Sequence, residues 1–328
     1  MKKLRRFLDH GNLRRFRTVI QLLSVVVLVY GGYFALDLGK ELPVFSCGYD
    51  RENGGICYLL PLQHQLGMPT GVLFGMAGIG VLIGFVTFLL LFILFNKAWC
   101  GFVCPVGTMQ DWITALRKRF GIRYSRYSQP QFERLSVIKY VLLVLLLLLP
   151  VATGTGLLGG EWRAAFCEIC PGRMLTPLFV GDVSQWRIDF SSRTTMILTT
   201  LGMVFTGMFI AGAFVKKRFF CFFCPMSALH YTFSKFALLR LKKEGDKCTK
   251  CGDCYNVCDM QIKEIADDVE HKNILQDDCI FCMKCIAACP EEGCLHADFA
   301  GITMFRSTKE GFAKRMGLEK PEGNDEQK

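Results

Sequence analysis

The sequence predicts a mainly α-helical protein. A bundle of four transmembrane helices, built as two repeats of parallel topology, is followed by a small α+β domain at the C-terminal end. The 328 residues are 51% hydrophobic and include 17 cysteines, so the chain is more apolar and richer in cysteine than a typical soluble domain. Four apolar runs each approach the roughly 20 residues that cross a membrane, and two dense cysteine runs follow the last of them.

The chain begins with a basic arm over residues 1–17, which is typical of the cytoplasmic flank of a membrane helix. A membrane domain is predicted over residues 18–242, with spans at about 18–36, 71–95, 140–158 and 194–215. A cleaved signal peptide is the alternative for the first span. That run is long for a signal peptide, however, and no small-residue cleavage site follows it.

Basic residues gather in the arm, in the loop between the second and third spans, and directly after the fourth span. This distribution places both termini of the chain in the cytoplasm. It predicts a multi-pass protein of a bacterial-type inner (cytoplasmic) membrane, with the lipid bilayer as a partner. The net charge of +10 also raises nucleic acid as a partner, but the sequence contains no nucleic-acid-binding motif.

The membrane domain repeats four features in the same order. Each half has a span, an outer loop with two cysteines, a second span, and an inner Cys-Pro motif that opens an amphipathic segment. The inner motifs are Cys100-x3-Cys104-Pro105, before the segment 106–120, and Cys221-x2-Cys224-Pro225, before the segment 226–242. Because two spans separate the copies, the halves are predicted to have parallel topology.

Two cysteine runs lie in a domain predicted over residues 245–299. They read Cys248-x2-Cys251-x2-Cys254-x3-Cys258 and Cys279-x2-Cys282-x2-Cys285-x3-Cys289-Pro290. This is the spacing of a bacterial-type 2[4Fe-4S] ferredoxin, in which the fourth cysteine of each run ligates the other cluster. The rule assigns the two ligand sets as Cys248, Cys251, Cys254 and Cys289, and Cys279, Cys282, Cys285 and Cys258.

Structural zinc is the alternative for CxxC pairs, but eight cysteines in two like runs fit the clusters better. One departure from the pattern is Asp259, which stands where the first run would usually carry proline. The residues 300–328 after this domain are predicted to form a charged, disordered tail.

Two further cysteine quartets lie in the membrane domain. The inner quartet is Cys100, Cys104, Cys221 and Cys224, which would suit a third cluster, another thiolate-bound metal, a dithiol pair, or simple burial. The outer quartet is Cys47, Cys57, Cys167 and Cys170. Disulfides, a metal or cluster site shared by both loops, and unconnected thiols all stay open for the outer quartet, and spacing alone gives no pairing.

Other cofactors are less well supported. A haem held by two histidines would need histidines inside the apolar runs, and the runs contain none. No glycine-rich dinucleotide motif or nucleophile elbow is present. A quinone head group needs a donor near the membrane interface, and the candidates at an outer boundary, which are equally typical of membrane belts, are Gln63, His64, Glu161, Trp162 and Arg163.

The four spans, the Cys-Gly-Phe-Val-Cys-Pro stretch at 100–105, the second Cys-Pro motif at 221–225 and the double cluster domain resemble the NapH, NosR and CcoG group of membrane polyferredoxins. In size and layout the chain is most similar to the NapH type. The resemblance implies a quinol dehydrogenase subunit, an oxidoreductase that hands electrons across the membrane. By position, the resemblance matches the paired Cys-Pro motifs of the group to Cys100, Cys104, Cys221 and Cys224. It also matches the eight cluster ligands of the group to the eight cysteines of the two runs between Cys248 and Cys289. The outer-loop cysteines are not a general feature of that group.

The preferred hypothesis is an integral-membrane iron-sulfur electron-transfer protein. It would move electrons between a quinone/quinol pool or a cytosolic donor and a partner oxidoreductase, through two [4Fe-4S] clusters and the membrane cysteines. The alternative is a CcoG-like maturation factor that reduces or shuttles a metal such as copper, since soft thiolates suit Cu(I). A third hypothesis gives the clusters a structural role in a chain that anchors a partner complex.

Overall fold

The computed structural model describes residues 13–30, 57–73, 75–274 and 278–316. Cys47, most of the basic arm and the end of the predicted tail lie outside the described residues. The described chain is mainly helical, with one small sheet near its C-terminal end.

The helices of the membrane domain include both long apolar helices and short ones. They are α1 Leu13–Tyr30, α2 Leu59–Leu66, α3 Thr70–Leu73, α4 Met76–Phe95, α5 Pro105–Arg119, α6 Gln129–Ser136, α7 Ile138–Gly154, α8 Ala165–Glu168, α9 Pro171–Leu175, α10 Arg193–Val215 and α11 Pro225–Phe233. A π-helical turn covers Trp99–Val103, and 3₁₀ turns cover Gly160–Ala164, Pro177–Val180, Ser184–Trp186, Phe219–Phe222 and Ser234–Phe236.

Three helical stretches in the described residues are long and apolar enough to cross a membrane: Gly78–Phe95, Gln129–Gly154 and Arg193–Val215. Large apolar side chains on these stretches are exposed, as expected of faces that contact lipid. Helix α1 is not among them because arginines occupy its first turns, although its face with Val19, Leu23 and Val26 is also exposed. The predicted first span is described only as far as Tyr30.

The helix bounds refine the predicted spans. The second span begins at Met76, because Gly75 directly before α4 has an extended backbone conformation. The third ends at Gly154, four residues early. Gly154 packs closely on the connection between α2 and α3, since a Cβ on Gly154 would stand 2.7 Å from the Met68 carbonyl oxygen. Two residues later, Gly156 takes a positive φ of 80°. The outer ends of α2 and α7 therefore meet.

The C-terminal domain is built on a three-stranded antiparallel sheet in the order β1-β2-β3. The strands are β1 Leu239–Lys243, β2 Leu295–Phe299 and β3 Ile302–Arg306. The helices are α12 Asp253–Asn256, α13 Glu264–Asp267, α14 Lys284–Ala288 and α15 Lys309–Met316, with a 3₁₀ turn at Gly245–Lys247.

Two predicted boundaries need correction at this domain. The predicted amphipathic segment 226–242 divides into a helix and a strand, since α11 ends at Phe233 and β1 follows with Leu239 and Leu241 buried in alternation. That alternation has the period of a strand. Residues 300–316 are not tail: Ala300 and Gly301 turn the chain at positive φ into β3, whose Phe305 is buried.

One apolar core runs from the C-terminal domain into the membrane domain. It joins Ile262, Ile265 and Ile286 of the C-terminal domain to Phe102 and Phe222 of the membrane domain. A second cluster around Phe88 and Phe92 lies deeper among the membrane helices. The C-terminal domain therefore packs directly on the inner Cys-Pro motifs.

Candidate iron-sulfur sites

The first cysteine-lined cavity lies at one end of the C-terminal domain, and we call it cavity A. It has an empty volume of about 330 Å³ and brings together Cys248, Cys251, Cys254 and Cys289. Lys250 and Gly252 take positive φ values of 55° and 79°, which bend the loop so that cysteines three residues apart face one cavity.

Two other residues of cavity A were missed by the sequence analysis. Cys294 lines it as a fifth thiol. Lys243 also lines it and is 1% exposed, and its ammonium donates to the carbonyls of Ile265 at 2.9 Å and Ala266 at 3.0 Å. A buried cation beside four thiolates offsets their negative charge.

The second cavity, cavity B, has an empty volume of about 400 Å³. Its cysteines are Cys258, Cys279, Cys282 and Cys285. Phe281 and Met283 take positive φ values of 52° and 58° and bend the loop as in cavity A. Each cavity thus gathers three cysteines of one run and the last cysteine of the other, the two sets that the spacing rule assigns. Four thiols around a cavity are the donor set that a [4Fe-4S] cluster requires.

Cavity B faces the membrane domain. Gly101 in the π-helical turn packs on the loop of cavity B so closely that a Cβ would stand 2.5 Å from the Ile280 carbonyl oxygen and 3.2 Å from Cys282 Cα. The preceding residue is Cys100 of the inner quartet. Lys97 is buried within electrostatic reach of both Cys100 and Cys279, and burial lowers the pKa of Lys97 to about 8. The inner quartet and the cavity B cysteines are therefore neighbours.

Buried ion pairs fix this junction. Lys139 at the start of α7 pairs with Asp278 at 2.7 Å, and both side chains are almost fully buried. Asp259, the residue found in place of proline, pairs with Lys284 and reaches Lys217 of the membrane domain at 3.5 Å. The departure from the ferredoxin pattern therefore supplies a contact between the two domains.

A second ionic cluster holds the loop of Cys100. Asp111 of α5 accepts from Arg17 at 2.5 Å and from Arg218 at 2.6 Å, and these arginines also donate to the carbonyls of Gly101 at 3.0 Å and Cys100 at 3.2 Å. Burial raises the pKa of Asp111, but the guanidiniums of Arg218 and Arg17 outweigh it and hold that pKa at about 2. The carboxylate stays ionised at neutral pH.

The inner quartet lies where α5 and α11 begin. Cys104 and Cys224 directly precede Pro105 and Pro225, the first residues of these helices. Cys100 Sγ lies 3.6 Å from His230 Nδ1, and Cys221 Sγ accepts from Gln110 Nε2 at 3.7 Å. Burial raises the pKa of Cys224 most, and the thiolates of Cys100, Cys221, Cys104 and Cys170 raise it further, so thiols of both inner motifs and of the second outer loop lie within electrostatic reach of Cys224.

The third cysteine-lined cavity, cavity C, lies inside the membrane domain. It has an empty volume of about 470 Å³ and is lined by Cys57, Cys167, Cys170 and Cys224. By sequence, Cys224 belongs to the inner motif and the other three to the outer loops, whereas in the structure all four line one cavity. Cys47, the remaining residue of the outer quartet, lies outside the described residues.

A large polar cavity opens beside cavity C, with an empty volume of about 1530 Å³. It is lined by three of the predicted quinone candidates, His64, Glu161 and Arg163, while Gln63 donates to Cys167 instead. Burial, followed by the charge of Arg163, lowers the pKa of His64. Arg173 lines both this cavity and cavity C.

Comparisons with known proteins agree with these cysteine sites. A family described as "4Fe-4S binding domain" matches residues 77–123 and again residues 198–244, and a "4Fe-4S dicluster domain" matches residues 240–290. The first family therefore covers both inner Cys-Pro motifs, and the second covers the ferredoxin cysteines. The regions around Cys100 and around Cys221 are thus both similar to the same family.

Among the relatives, the "Ferredoxin-type protein NapH" of Haemophilus influenzae is 28% identical over 61% of this chain and 62% of its own length. The NapH of Escherichia coli is 28% identical over 60% of each chain. The "Putative electron transport protein YccM" of Escherichia coli is 25% identical over 86% of this chain and 74% of its own length. The matched region thus spans about three fifths of the NapH relatives. No solved structure matches the chain.

Proposed function

Because the chain belongs to the family of NapH-like 4Fe-4S ferredoxin-type proteins, we propose that it is an integral-membrane carrier that moves electrons between a quinol and a partner oxidoreductase. The observation that carries this proposal is the contact between Gly101 and the loop of cavity B. That contact sets the inner quartet directly against the ferredoxin-like domain. A soluble ferredoxin would need no such packing contact with a membrane domain.

The proposed membrane placement has four spans with both termini in the cytoplasm of a bacterial-type cell. The three long apolar stretches supply three spans. Helix α1 supplies the fourth, since its exposed Val19, Leu23 and Val26 suit lipid and its arginines suit the cytoplasmic interface. The basic residues Lys216, Lys217 and Arg218 end the last span on the same side.

In this proposal, cavity A and cavity B each hold one [4Fe-4S] cluster through their four cysteines. When bound, such clusters supply one-electron carriers whose potentials depend on burial, hydrogen bonds to sulfur and nearby charge. The chain contributes to these factors with the buried Lys243 at cavity A and with Lys97 beside Cys279. The ion pairs of Lys139 with Asp278 and of Lys217 with Asp259 hold the ferredoxin-like domain in place.

The polar cavity is the proposed quinol site. A quinol that is oxidised releases two electrons and two protons, so its site needs hydrogen-bonding groups and a proton acceptor. His64 has its pKa lowered by burial and by Arg163, which leaves a neutral imidazole able to accept a proton at neutral pH. Glu161 and Arg163 supply further polar contacts in the same cavity.

The test is a redox titration followed by EPR on anaerobically purified full-length protein, with and without a quinol analogue. Iron and acid-labile sulfide per chain are measured on the same sample. We expect cluster signals that the quinol reduces, and a loss of about four irons per chain when Cys279 is replaced by alanine. Clusters that no quinol reduces, together with stoichiometric copper binding, would contradict this proposal and favour the copper-maturation hypothesis.

A further inference from the structure

We propose that Cys57, Cys167, Cys170 and Cys224 of cavity C hold a third [4Fe-4S] cluster, inside the membrane domain. This inference deepens the proposed electron-transfer function and rests on it. It crosses the two quartets recognised in the sequence, since it takes one cysteine from the inner motif and three from the outer loops. None of the ferredoxin spacing rules predicts this set.

The first support is the likeness of cavity C to the two ferredoxin cavities. Its empty volume of about 470 Å³ is close to the 330 Å³ and 400 Å³ of cavities A and B. Cavities B and C are each lined by four cysteines, and cavity A is lined by its four predicted ligands and Cys294. The rest of the wall of cavity C is mainly apolar, with Leu59, Phe166 and Phe220. An apolar wall around thiolates is the setting of a buried cluster.

The second support is the way the fold brings four distant cysteines together. Tyr58, next to Cys57, stacks on Phe88 of the long helix α4 at 4.3 Å between ring centroids. His230 of α11 also lies 6.1 Å from the same Phe88 ring. Helix α2 from the outer loop and helix α11 from the inner motif therefore meet at one residue in the interior of α4.

The second outer loop reaches the same depth. Gly202, in the middle of α10, packs against the loop so closely that a Cβ would stand 2.7 Å from the Glu168 carbonyl oxygen. Glu168 lies between Cys167 and Cys170. A glycine at this position lets the cysteine loop enter between the long helices, where a larger side chain would block it.

The third support is the polar environment of the thiols. Gln63 is 1% exposed, and its Nε2 donates to Cys167 Sγ at 2.9 Å. Arg173 also lines the cavity, and its guanidinium pairs with Glu168 and donates to Gln185 Oε1 at 2.8 Å. A four-iron cluster with four thiolates carries net negative charge, which an amide donor and a cation stabilise. An apolar packing role for these cysteines would need neither group.

The cysteines of each set are spaced around a cavity. In the described ranges no three or more His, Cys, Asp or Glu side chains are grouped so that they could hold a single ion. This holds equally for the cysteines of cavities A and B. All three sets surround a space instead, which is the arrangement that a multi-iron cluster needs.

The experiment measures iron and acid-labile sulfide on the anaerobically purified full chain and its alanine variants. We expect about twelve irons per chain in the wild type and about eight in Cys57→Ala, Cys167→Ala and Cys170→Ala. The matched control is Cys104→Ala, which removes an inner-motif thiol that does not line cavity C. It should keep about twelve irons.

Two readouts guard against misfolding. Each variant should elute as a single species, and it should keep the EPR signals of the two ferredoxin clusters after reduction by dithionite. Two outcomes overturn the proposal: Cys167→Ala and Cys170→Ala retain all iron, or Cys104→Ala loses as much iron as they do. A wild type with about eight irons, and with these cysteines resistant to alkylation until reduced, indicates disulfides and also overturns it.

The iron count is independent of the quinol titration. A chain with about twelve irons that no quinol reduces would keep the third cluster and remove the quinol function. A chain with about eight irons that quinol does reduce would keep the quinol function and remove the third cluster.

Discussion

Gly101 of the membrane domain and Ile280 of the ferredoxin-like domain touch through backbone, with a space of only 2.5 Å between the Ile280 oxygen and the place where a Cβ on Gly101 would stand. No side chain can enter this contact without moving one of the two backbones. The contact joins the turn of Cys100 to the loop of Cys282 and therefore sets the separation of the two cysteine sites.

We expect Gly101→Ala to force the domains apart and to destabilise the chain by about 1–3 kcal/mol, the usual cost of overpacking. The loop of cavity B should then exchange its amide hydrogens faster, which hydrogen-exchange mass spectrometry measures. Gly84→Ala in helix α4 is the control, because a Cβ there has no neighbour within 4 Å. Equal exchange in both variants would show that the contact does not hold the domains together.

Replacing only one residue of the ion pair between Lys139 and Asp278 should strongly lower the stability of the chain. Both side chains are at most 1% exposed, so Lys139→Met leaves a buried carboxylate and Asp278→Asn leaves a buried ammonium. Each single change should destabilise the chain by about 3–5 kcal/mol.

The double variant Lys139→Met/Asp278→Leu should recover most of that loss, because it buries no unpaired charge. Thermal unfolding in detergent, arranged as a double-mutant cycle, measures the difference. Additive losses from the two single variants would mean that the pair contributes no coupling between the domains.

Asp111→Asn should loosen helix α1 and the loop of Cys100, because it leaves Arg218, which is 1% exposed, without its carboxylate partner. The folded-state pKa of Asp111, about 2, lies below the ordinary value near 3.9. Its stabilisation is therefore fully present above about pH 4 and is lost as the pH falls toward 2. The stability difference between wild type and variant should stay constant from about pH 5 to about pH 8.

Thermal unfolding of both proteins at several pH values measures this difference. Glu133→Gln in the exposed helix α6 is a control for loss of a carboxylate, and it should match the wild type throughout. A difference that changed steeply near neutral pH would mean that another titrating group controls this cluster.

Asp259→Asn should weaken the contact between the ferredoxin-like domain and the membrane domain while leaving the cysteines of the ferredoxin-like domain in place. The carboxylate is 3% exposed and lies between Lys284 and Lys217. Because the Lys217 side chain is partly exposed, its share of the attraction is screened by salt. The domain of the wild type should therefore become easier to remove by limited proteolysis as salt rises, whereas the variant should show little salt dependence.

The predicted ferredoxin cysteine sets follow from spacing that is local along Cys248 to Cys289. Each predicted set lines one cavity, and its ligation of a cluster stays a prediction. The sequence was not enough to group Cys224 with Cys57, Cys167 and Cys170. Those residues are brought together by short helices that enter between the long ones, and apolar periodicity reports only the long ones.

Two other features of the structure, strand β1 and the contact of Asp259 with Lys217, were also not predicted from the sequence. The alternation of Leu239 and Leu241 with charged residues has the period of a strand, but the sequence analysis placed them within one amphipathic segment with residues of α11. Asp259 was read as a departure without a role, since its partner Lys217 lies far away in sequence and belongs to the other domain. Contacts between domains leave no mark in the spacing of either one.

Gln63→Leu tests the third cluster site through its hydrogen bond. The Nε2 of Gln63 donates to Cys167 Sγ at 2.9 Å from a buried position, and an N–H donor at a ligating sulfur favours the reduced, more negative state. Replacing it by leucine keeps the size of the side chain and removes the donor. We expect the iron content to stay the same and one midpoint potential to become more negative, with the two ferredoxin potentials unchanged.

Gln65→Leu on the same helix is the matched control, because this residue is not among those that line cavity C. An EPR-monitored redox titration of wild type and both variants gives the three potentials. If Gln63→Leu and Gln65→Leu have identical potentials, the hydrogen bond of Gln63 does not act on a redox centre, and Cys167 is a structural thiol. If only Gln63→Leu shifts, and only one of three signals moves with it, that signal belongs to the cluster of cavity C.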